Sequence, residues 1–272
     1  MEMKNTDATI VGDINQLPEE CISHAISLTT PRDACASSAV SSAFRSAVDS
    51  DSTWQSFLPS DYASFLSQAV DPVEYDSKKE LYFRLCDHPI LIYGGLMSFG
   101  LEKSSGAKCF MISARALSIA WGDDLRYWRW IAIADSRFSE CARLNWVCWL
   151  DINGKIDNRI LTPNTEYAAY LVFKLADGMR GVSCPLQTTI ITLAGDIVSE
   201  HSVSIWDRPT EEMTDDVRLP RERLDGWSEV KLGEFDSGVG IYGEVGMSFM
   251  ETNNYYSKRG LIVQGIEVRP KH

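Results

Sequence analysis

The 272-residue chain has no cluster of lysine and arginine, no apolar run long enough to cross a bilayer and no paired cysteine spacing. Each absence excludes something. The formal net charge is −12, and residues 1–75 carry eleven acidic side chains against three basic ones. Without a basic stripe, neither a nucleic-acid backbone nor an anionic membrane surface finds a counter-charge, so neither partner is expected. Residues 89–101 are uncharged, yet fall short of the roughly 20 apolar residues that span a hydrocarbon layer. Met1-Glu2-Met3-Lys4-Asn5-Thr6 lacks the apolar core of a secretory signal, and no Asn-x-Ser/Thr acceptor occurs. Seven cysteines, an odd number with no Cys-x-x-Cys, suggest free thiols in a reducing compartment, the cytoplasm or nucleus.

Catalytic patterns are equally scarce. The four histidines, His24, His88, His201 and His272, stand far apart, and none has metal-ligand spacing with Cys or carboxylates. There is no Gly-x-Ser-x-Gly elbow and no phosphate-cradling glycine loop with lysine. The adjacent acids Asp123-Asp124 do not suit a glycosidase, whose two carboxylates must converge from opposite sides of a bond. A non-enzymatic protein without metal or cofactor is expected.

What the chain does hold begins in its first sixty residues. Pro18 suits the first turn of a helix, and Glu19 and Glu20 favour its positive end. Thr30-Pro31-Arg32-Asp33 is a second start, with a capping Thr, a proline at the first helical position and an acid three residues on. Ala36, Ala39, Val40, Ala43, Phe44 and Ala47 then recur at three- and four-residue steps, predicting a helix with a narrow apolar stripe. A few such helices cannot enclose a dry core in fifty residues. Another protein is expected to cover them.

This spacing resembles the F-box over residues 12–59. Leu17, Pro18, Glu20, Ile22, Ile26, Leu28, Pro31, Asp33, Val40, Ser41, Phe44 and Trp54 hold the family's characteristic places. Ala34 stands where a larger aliphatic is common, and Phe44 where Trp is common. The resemblance implies a Skp-family adaptor, and through it a cullin, bound by Leu17, Pro18, Glu20, Ile22, Ile26, Leu28, Pro31, Val40, Phe44 and Trp54. Ile22, Ile26 and Val40 are accordingly expected to be at least half exposed in the isolated chain.

A helical bridge is expected over residues 60–105. Tyr62, Phe65, Leu66 and Ala69 share one face, a second start lies near Asp76-Ser77, and Gly94-Gly95, Gly100 and Ser104-Ser105-Gly106 mark loops. Beyond residue 106 the period changes from helical to alternating. Residues 144–152 read as a strand turned by Asn153-Gly154, with further strands at 167–175, 182–191, 227–235 and 261–269, the last interrupted by Gly265. Residues 194–222 read as a polar, solvated loop with four acids within 211–216. Many short strands without intervening long helices predict an antiparallel β-sandwich over 106–272. The fold class expected is therefore α+β, a short all-α module and bridge followed by that sandwich.

Seven of the eight tryptophans lie in this second region. Aromatic plates beside carboxylates are the ingredients of a sugar site, although a buried Trp is first of all a packing residue. Trp121-Gly122-Asp123-Asp124, Tyr127-Trp128 and Asp225-Gly226-Trp227 supply both in turn-rich contexts. In order, residues 108–117, Ile119-Ala120-Trp121-Gly122, Tyr127-Trp128-Arg129-Trp130, 148–156, 167–174, Asp225-Gly226-Trp227 and 261–267 resemble the phloem protein 2 lectins over about residues 82–270. An F-box ahead of such a domain is the arrangement of the plant F-box phloem-lectin group. It implies a receptor subunit of a Skp–cullin–F-box ubiquitin ligase whose lectin-like domain takes a glycan, glycoprotein or protein substrate. N-acetylglucosamine-containing glycans are the expected ligand, at Trp121, Asp123, Tyr127, Trp128, Asp225 and Trp227. The alternatives are a free intracellular lectin with a non-functional F-box, and a glycoside-processing enzyme.

Overall fold

A computed structural model describes residues 17–182, 186–206, 216–238, 243–253 and 255–271. Six helices come first: α1 (Glu19–Ser27), α2 (Pro31–Ser37), α3 (Ser42–Asp49), α4 (Asp51–Phe57), α5 (Tyr62–Ser67) and α6 (Lys78–Asp87). Fourteen strands follow among the described residues: β1 (Ile90–Ile92), β2 (Met97–Leu101), β3 (Lys108–Ser113), β4 (Ser118–Ile119), β5 (Trp128–Ile131), β6 (Cys141–Leu144), β7 (Leu150–Asp157), β8 (Glu166–Arg180), β9 (Gln187–Leu193), β10 (Asp196–Val203), β11 (Arg221–Glu222), β12 (Ser228–Asp236), β13 (Glu244–Glu251) and β14 (Arg259–Pro270). Two compact units result. One joins the residues through Leu58 to Tyr75–Phe83 and Lys103–Gly106; the other comprises Pro59–Glu74, Arg84–Glu102 and the chain from Ala107. Residues 60–105 are thus shared between the two units.

In the helical unit, the local signals act as the sequence predicts at two helix starts and differently at a third. Glu19 and Glu20 occupy the first turn of α1. Thr30 accepts from Asp33 N at 3.1 Å and donates to Asp33 Oδ2 at 2.8 Å, closing the start of α2. The stripe from Ala36 to Ala47 is not one helix. Ser41 interrupts it, taking an extended conformation and accepting from Phe44 N to cap α3. A hydroxyl that bonds the nearby backbone competes with helix continuation. The core gathers around Trp54, which is fully buried, donates from its indole to Val48 O at 2.5 Å and lies 5.1 Å from both Tyr82 and Phe83.

The second unit is a β-sandwich. One sheet runs β1-β2-β3-β14-β8-β12-β11, with β6 pairing β14 and β5; the other runs β10-β9-β13-β7-β4. Every pairing between these strands is antiparallel. The sheets meet closely. Thr189 of β9 donates to Leu232 O of β12 at 2.7 Å. β14 is buried on both faces along most of its length, and β8 over Tyr167–Phe173. Their second face is covered by Phe138, Trp227, Met111 and Cys141, which pack with Val172 and Ile262.

Several segments depart from the pattern read in the sequence. Residues 90–92 and 97–101, within the glycine-marked segment, pair as β1 and β2. Asn153-Gly154 does not turn the chain; β7 runs straight through it. A Cβ at Gly154 would lie 3.0 Å from Ile266 and Leu117 side chains, so the glycine serves close sheet packing rather than a turn. The expected strand over 144–152 splits, because residues 145–149 form a loop between β6 and β7. Residues 196–203, expected as loop, form the exposed strand β10 beside β9. The acidic residues at 211–215 lie outside the described residues. Gly265 marks a bulge against β8, as its position in the pattern suggests.

Candidate functional site

An aromatic cleft opens at the end of the sandwich where β4, the loop after β6 and the segment between β13 and β14 meet. Its lining includes Trp121, Tyr127, Trp146, Trp149, Thr252 and Tyr255, over Val147 and Cys148. Among the described residues no charged side chain lines it. Trp121, Trp146 and Trp149 are each about half exposed, at 49%, 47% and 51%, and Tyr255 is 95% exposed. Large rings left in water this way lose the burial that normally stabilises them, which marks a surface built to be covered.

The cleft is assembled by backbone geometry and two supporting indoles. Trp121 sits at φ +57°, a left-handed conformation that costs a side-chain-bearing residue roughly 1–2 kcal/mol. The turn is held by Gly122 N donating to Ile119 O at 2.9 Å and Asp124 N to Trp121 O at 3.0 Å. From beneath, the Trp128 indole donates to Ala120 O at 3.1 Å and the Trp130 indole to Gly122 O at 3.2 Å. Asp124 accepts from Arg126 through backbone and guanidinium, which holds its carboxyl below the usual range. Tyr127 then stands between two tryptophans, 5.6 Å from Trp121 and 5.3 Å from Trp146. Asn145 fixes that stretch by donating from its backbone to Tyr127 O and from its side chain to Leu125 O.

Of the six sequence-derived sugar residues, Trp121 and Tyr127 line the cleft. Asp123 is exposed on the Trp121 turn but is not part of the lining. Trp128 is 1% exposed; it supports the turn and offers no face to a ligand. Trp227 is likewise 1% exposed, packed with Met111 and Val172, and its indole donates to Asp135 O. Asp225 accepts from Arg223 and from Trp227 N, which makes it a support of the same loop. Trp146, Trp149, Thr252 and Tyr255 complete the lining and carry no site signal in the sequence. On a continuous strand Trp146 and Trp149 would face opposite sides, so only the loop that replaces it brings them together.

A concentration of charge elsewhere in the sandwich holds structure. Glu229 accepts from Arg221, Arg223 and Arg269, and Glu267 from Arg137, Arg223 and Arg269. Burial alone would raise the Glu229 carboxyl, but these guanidinium groups bring it down to about 2. Among the described residues no three His, Cys, Asp or Glu side chains converge as metal ligands. Six described cysteines are free thiols, and Cys184 lies outside the described residues.

The helical unit presents a second apolar feature, a groove lined by Leu17, Cys21, Ile22, Ile26, Thr29 and Phe44 among others. Leu17, Leu28 and Val40 are exposed at 48%, 75% and 65%, and Pro18 and Glu20 are also exposed. Phe44 is half-buried and Pro31 buried. Ile22 and Ile26, expected at the surface, are only 2% and 4% exposed because α1 packs them against the other helices; they form the groove floor. Trp54, grouped with the docking residues in the sequence, is core.

A phloem protein 2 model matches residues 107–270, and an F-box-like model matches residues 14–60. Among curated proteins of Arabidopsis thaliana, F-box protein PP2-B10 is 43% identical over 258 residues, covering 94% of this chain and 93% of its own. F-box protein VBF is 40% identical over 279 residues, covering 94% and 99%. F-box protein PP2-B1 is 38% identical over 310 residues, covering 97% and 91%. Among solved structures, a family 35 carbohydrate binding module from Clostridium thermocellum overlays 60% of this chain and 98% of its own at a TM-score of 0.32 and 13% identity. So distant an overlay carries no functional weight. With both domains matched in order and relatives aligned over nearly their whole length, this chain belongs to the F-box proteins that carry a phloem protein 2 domain.

Proposed function

We propose that this protein is a non-catalytic substrate receptor of a Skp–cullin–F-box ubiquitin ligase acting in the cytoplasm or nucleus. A Skp-family adaptor covers the groove of the helical unit, and the aromatic cleft of the sandwich binds a neutral, N-acetylglucosamine-containing glycan on the protein to be modified. The observation that supports this reading most is the cleft itself: exposed and half-exposed indole and phenol rings meet over Val147 and Cys148, with no charged side chain among the described lining residues. Such a surface suits the apolar face of a neutral sugar ring. A charged ligand would find no counter-charge there. An open cleft of stacking faces and few hydrogen bonds should bind weakly, roughly micromolar to millimolar.

Two measurements test the reading. Calorimetric titration of the full chain with chitotriose should show binding that Trp121→Gly reduces at least tenfold. Because glycine accepts the left-handed backbone without strain, the same variant should melt no earlier than the wild type. A variant that still binds with unchanged affinity excludes this cleft as the sugar site. For the other face, Leu17→Ala/Pro18→Ala should stop co-purification with the adaptor while the sandwich stays folded. Undiminished co-purification removes the docking assignment. A wild-type chain that binds chitotriose yet captures no adaptor is instead a free lectin.

A further inference from the structure

The cleft has a hidden support. Lys258, just before β14, has a fully buried side chain. Its ammonium donates to Cys148 O at 2.6 Å and Tyr256 O at 3.2 Å, and pairs with the carboxylate of Glu251, itself 2% exposed. An ammonium has three N–H donors, and here three acceptors surround it. The backbones of Lys258 and Val147 exchange both hydrogen bonds, at 2.9 and 2.7 Å. Glu251 Oε1 in turn accepts from Asn253 N at 3.0 Å.

Each of these partners adjoins a cleft residue. Cys148 lies between Trp146 and Trp149, Glu251 and Asn253 flank Thr252, and Tyr256 follows Tyr255. One buried ion pair therefore ties together two segments more than a hundred residues apart in sequence. Burying an ammonium is an expensive way to stabilise a fold, since apolar side chains of similar size commonly do as well or better. What apolar packing cannot do is fix two carbonyls and a carboxylate in one geometry.

We propose that Lys258, held by Glu251, is a positioning residue for the aromatic cleft. It sets the spacing of Trp146 and Trp149 against Thr252 and Tyr255 and keeps the cleft formed before any ligand arrives. The proposal rests on reading this cleft as a ligand site, but its first measurement needs no ligand.

The test uses Lys258→Met in the full chain, with amide exchange followed residue by residue. The amides of Val147, Asn253 and Lys258 should exchange at least tenfold faster, while those central to β8 and β14 keep their protection. Chitotriose affinity, measured well below the melting temperature, should fall at least tenfold. A variant with a lower melting temperature, but unchanged local exchange and affinity, would show that the pair only stabilises the fold and overturn the proposal. If Lys258→Met does not fold, Glu251→Gln takes its place. It keeps the shape and an acceptor for Asn253 N, so that amide stays protected, while those of Val147 and Lys258 should lose protection; unchanged protection at both overturns the proposal. If the wild type fails to bind chitotriose, the glycan reading falls and the exchange data alone decide the role of Lys258.

Discussion

Trp54→Ala should unfold the helical unit while leaving the sandwich intact. The indole is fully buried among Phe57, Tyr82 and Phe83, with the ammonium of Lys79 5.8 Å from the ring. Removing a buried Trp costs about 3–5 kcal/mol, which is comparable to the whole stability of a domain this small. The substitution also strips the Val48 carbonyl of its donor. Thr53 and Ser23 both donate to Ala47 O, so the end of α3 is held by these two hydroxyls together with the Trp54 indole on Val48 O. Thermal unfolding followed by circular dichroism should show loss of helical signal at the lowest temperatures, with the sandwich transition retained. Trp54→Phe, which keeps a ring but not the hydrogen bond, should shift the helical transition down by about 4–8 °C for each kcal/mol lost. A Trp54→Ala chain with a helical transition at the wild-type temperature would show that this core does not hold the unit together. The contrast with Leu17→Ala/Pro18→Ala matters, because that pair is exposed and its loss should cost adaptor capture without cost to folding.

Gly265→Ala should be a severely damaging single methyl in the sandwich. A Cβ there would stand 2.1 Å from Ile112 O, inside the ladder between β14 and β3, where Gly265 pairs with Ser113 and Ile266 with Ile112. Backbone cannot step aside as the end of a side chain can, so the two strands must separate and neighbouring hydrogen bonds lengthen. Overpacking in a well-ordered core costs about 1–3 kcal/mol, and the loosened ladder adds to it. We expect about 3 kcal/mol or more, read as a lower denaturant midpoint. Gly95→Ala is the control: its φ is +85° but nothing lies within 4 Å of the added methyl, so only the left-handed strain of about 1–2 kcal/mol remains. If Gly265→Ala costs no more than this control, the close approach of β3 and β14 is not what requires glycine.

The starts of α1 and α2 were legible because their signals are local: a proline in each, with acids in the first turn and, for α2, a capping hydroxyl. The strands centred on Tyr167–Phe173, Val230–Phe235 and Ile262–Val268 were legible as short, largely apolar runs without helical period. What could not be read depended on distant partners. Asn153-Gly154 carries a turn signal, and only the crowding by Ile266 and Leu117 reveals a packing glycine. Ile22 and Ile26 match positions of a docking motif, yet α1 needs their side chains inward. Tryptophan is the hardest case. Trp121 and Trp128 are seven residues apart in the same motif, and one is half exposed while the other is buried. The difference lies in the left-handed turn at Trp121, which turns one ring outward while the indole of the other bonds the carbonyl beneath it.

The position of β14 between β3 and β8 also governs how the molecule is made. Ile266 pairs with Ile112, 154 residues earlier in the chain, and with Leu171 on its other side. The central ladder of the larger sheet therefore cannot close until β14 has been synthesised, and closing so long a loop slows folding. Until then β3 and β8 expose hydrogen-bonding edges and apolar faces to the cell, the condition under which nascent chains associate wrongly. The helical unit, built chiefly from contacts within the first eighty or so residues, carries no such delay. Synthesis should thus produce the helical unit well before the sandwich, and chaperones should be needed chiefly for the second.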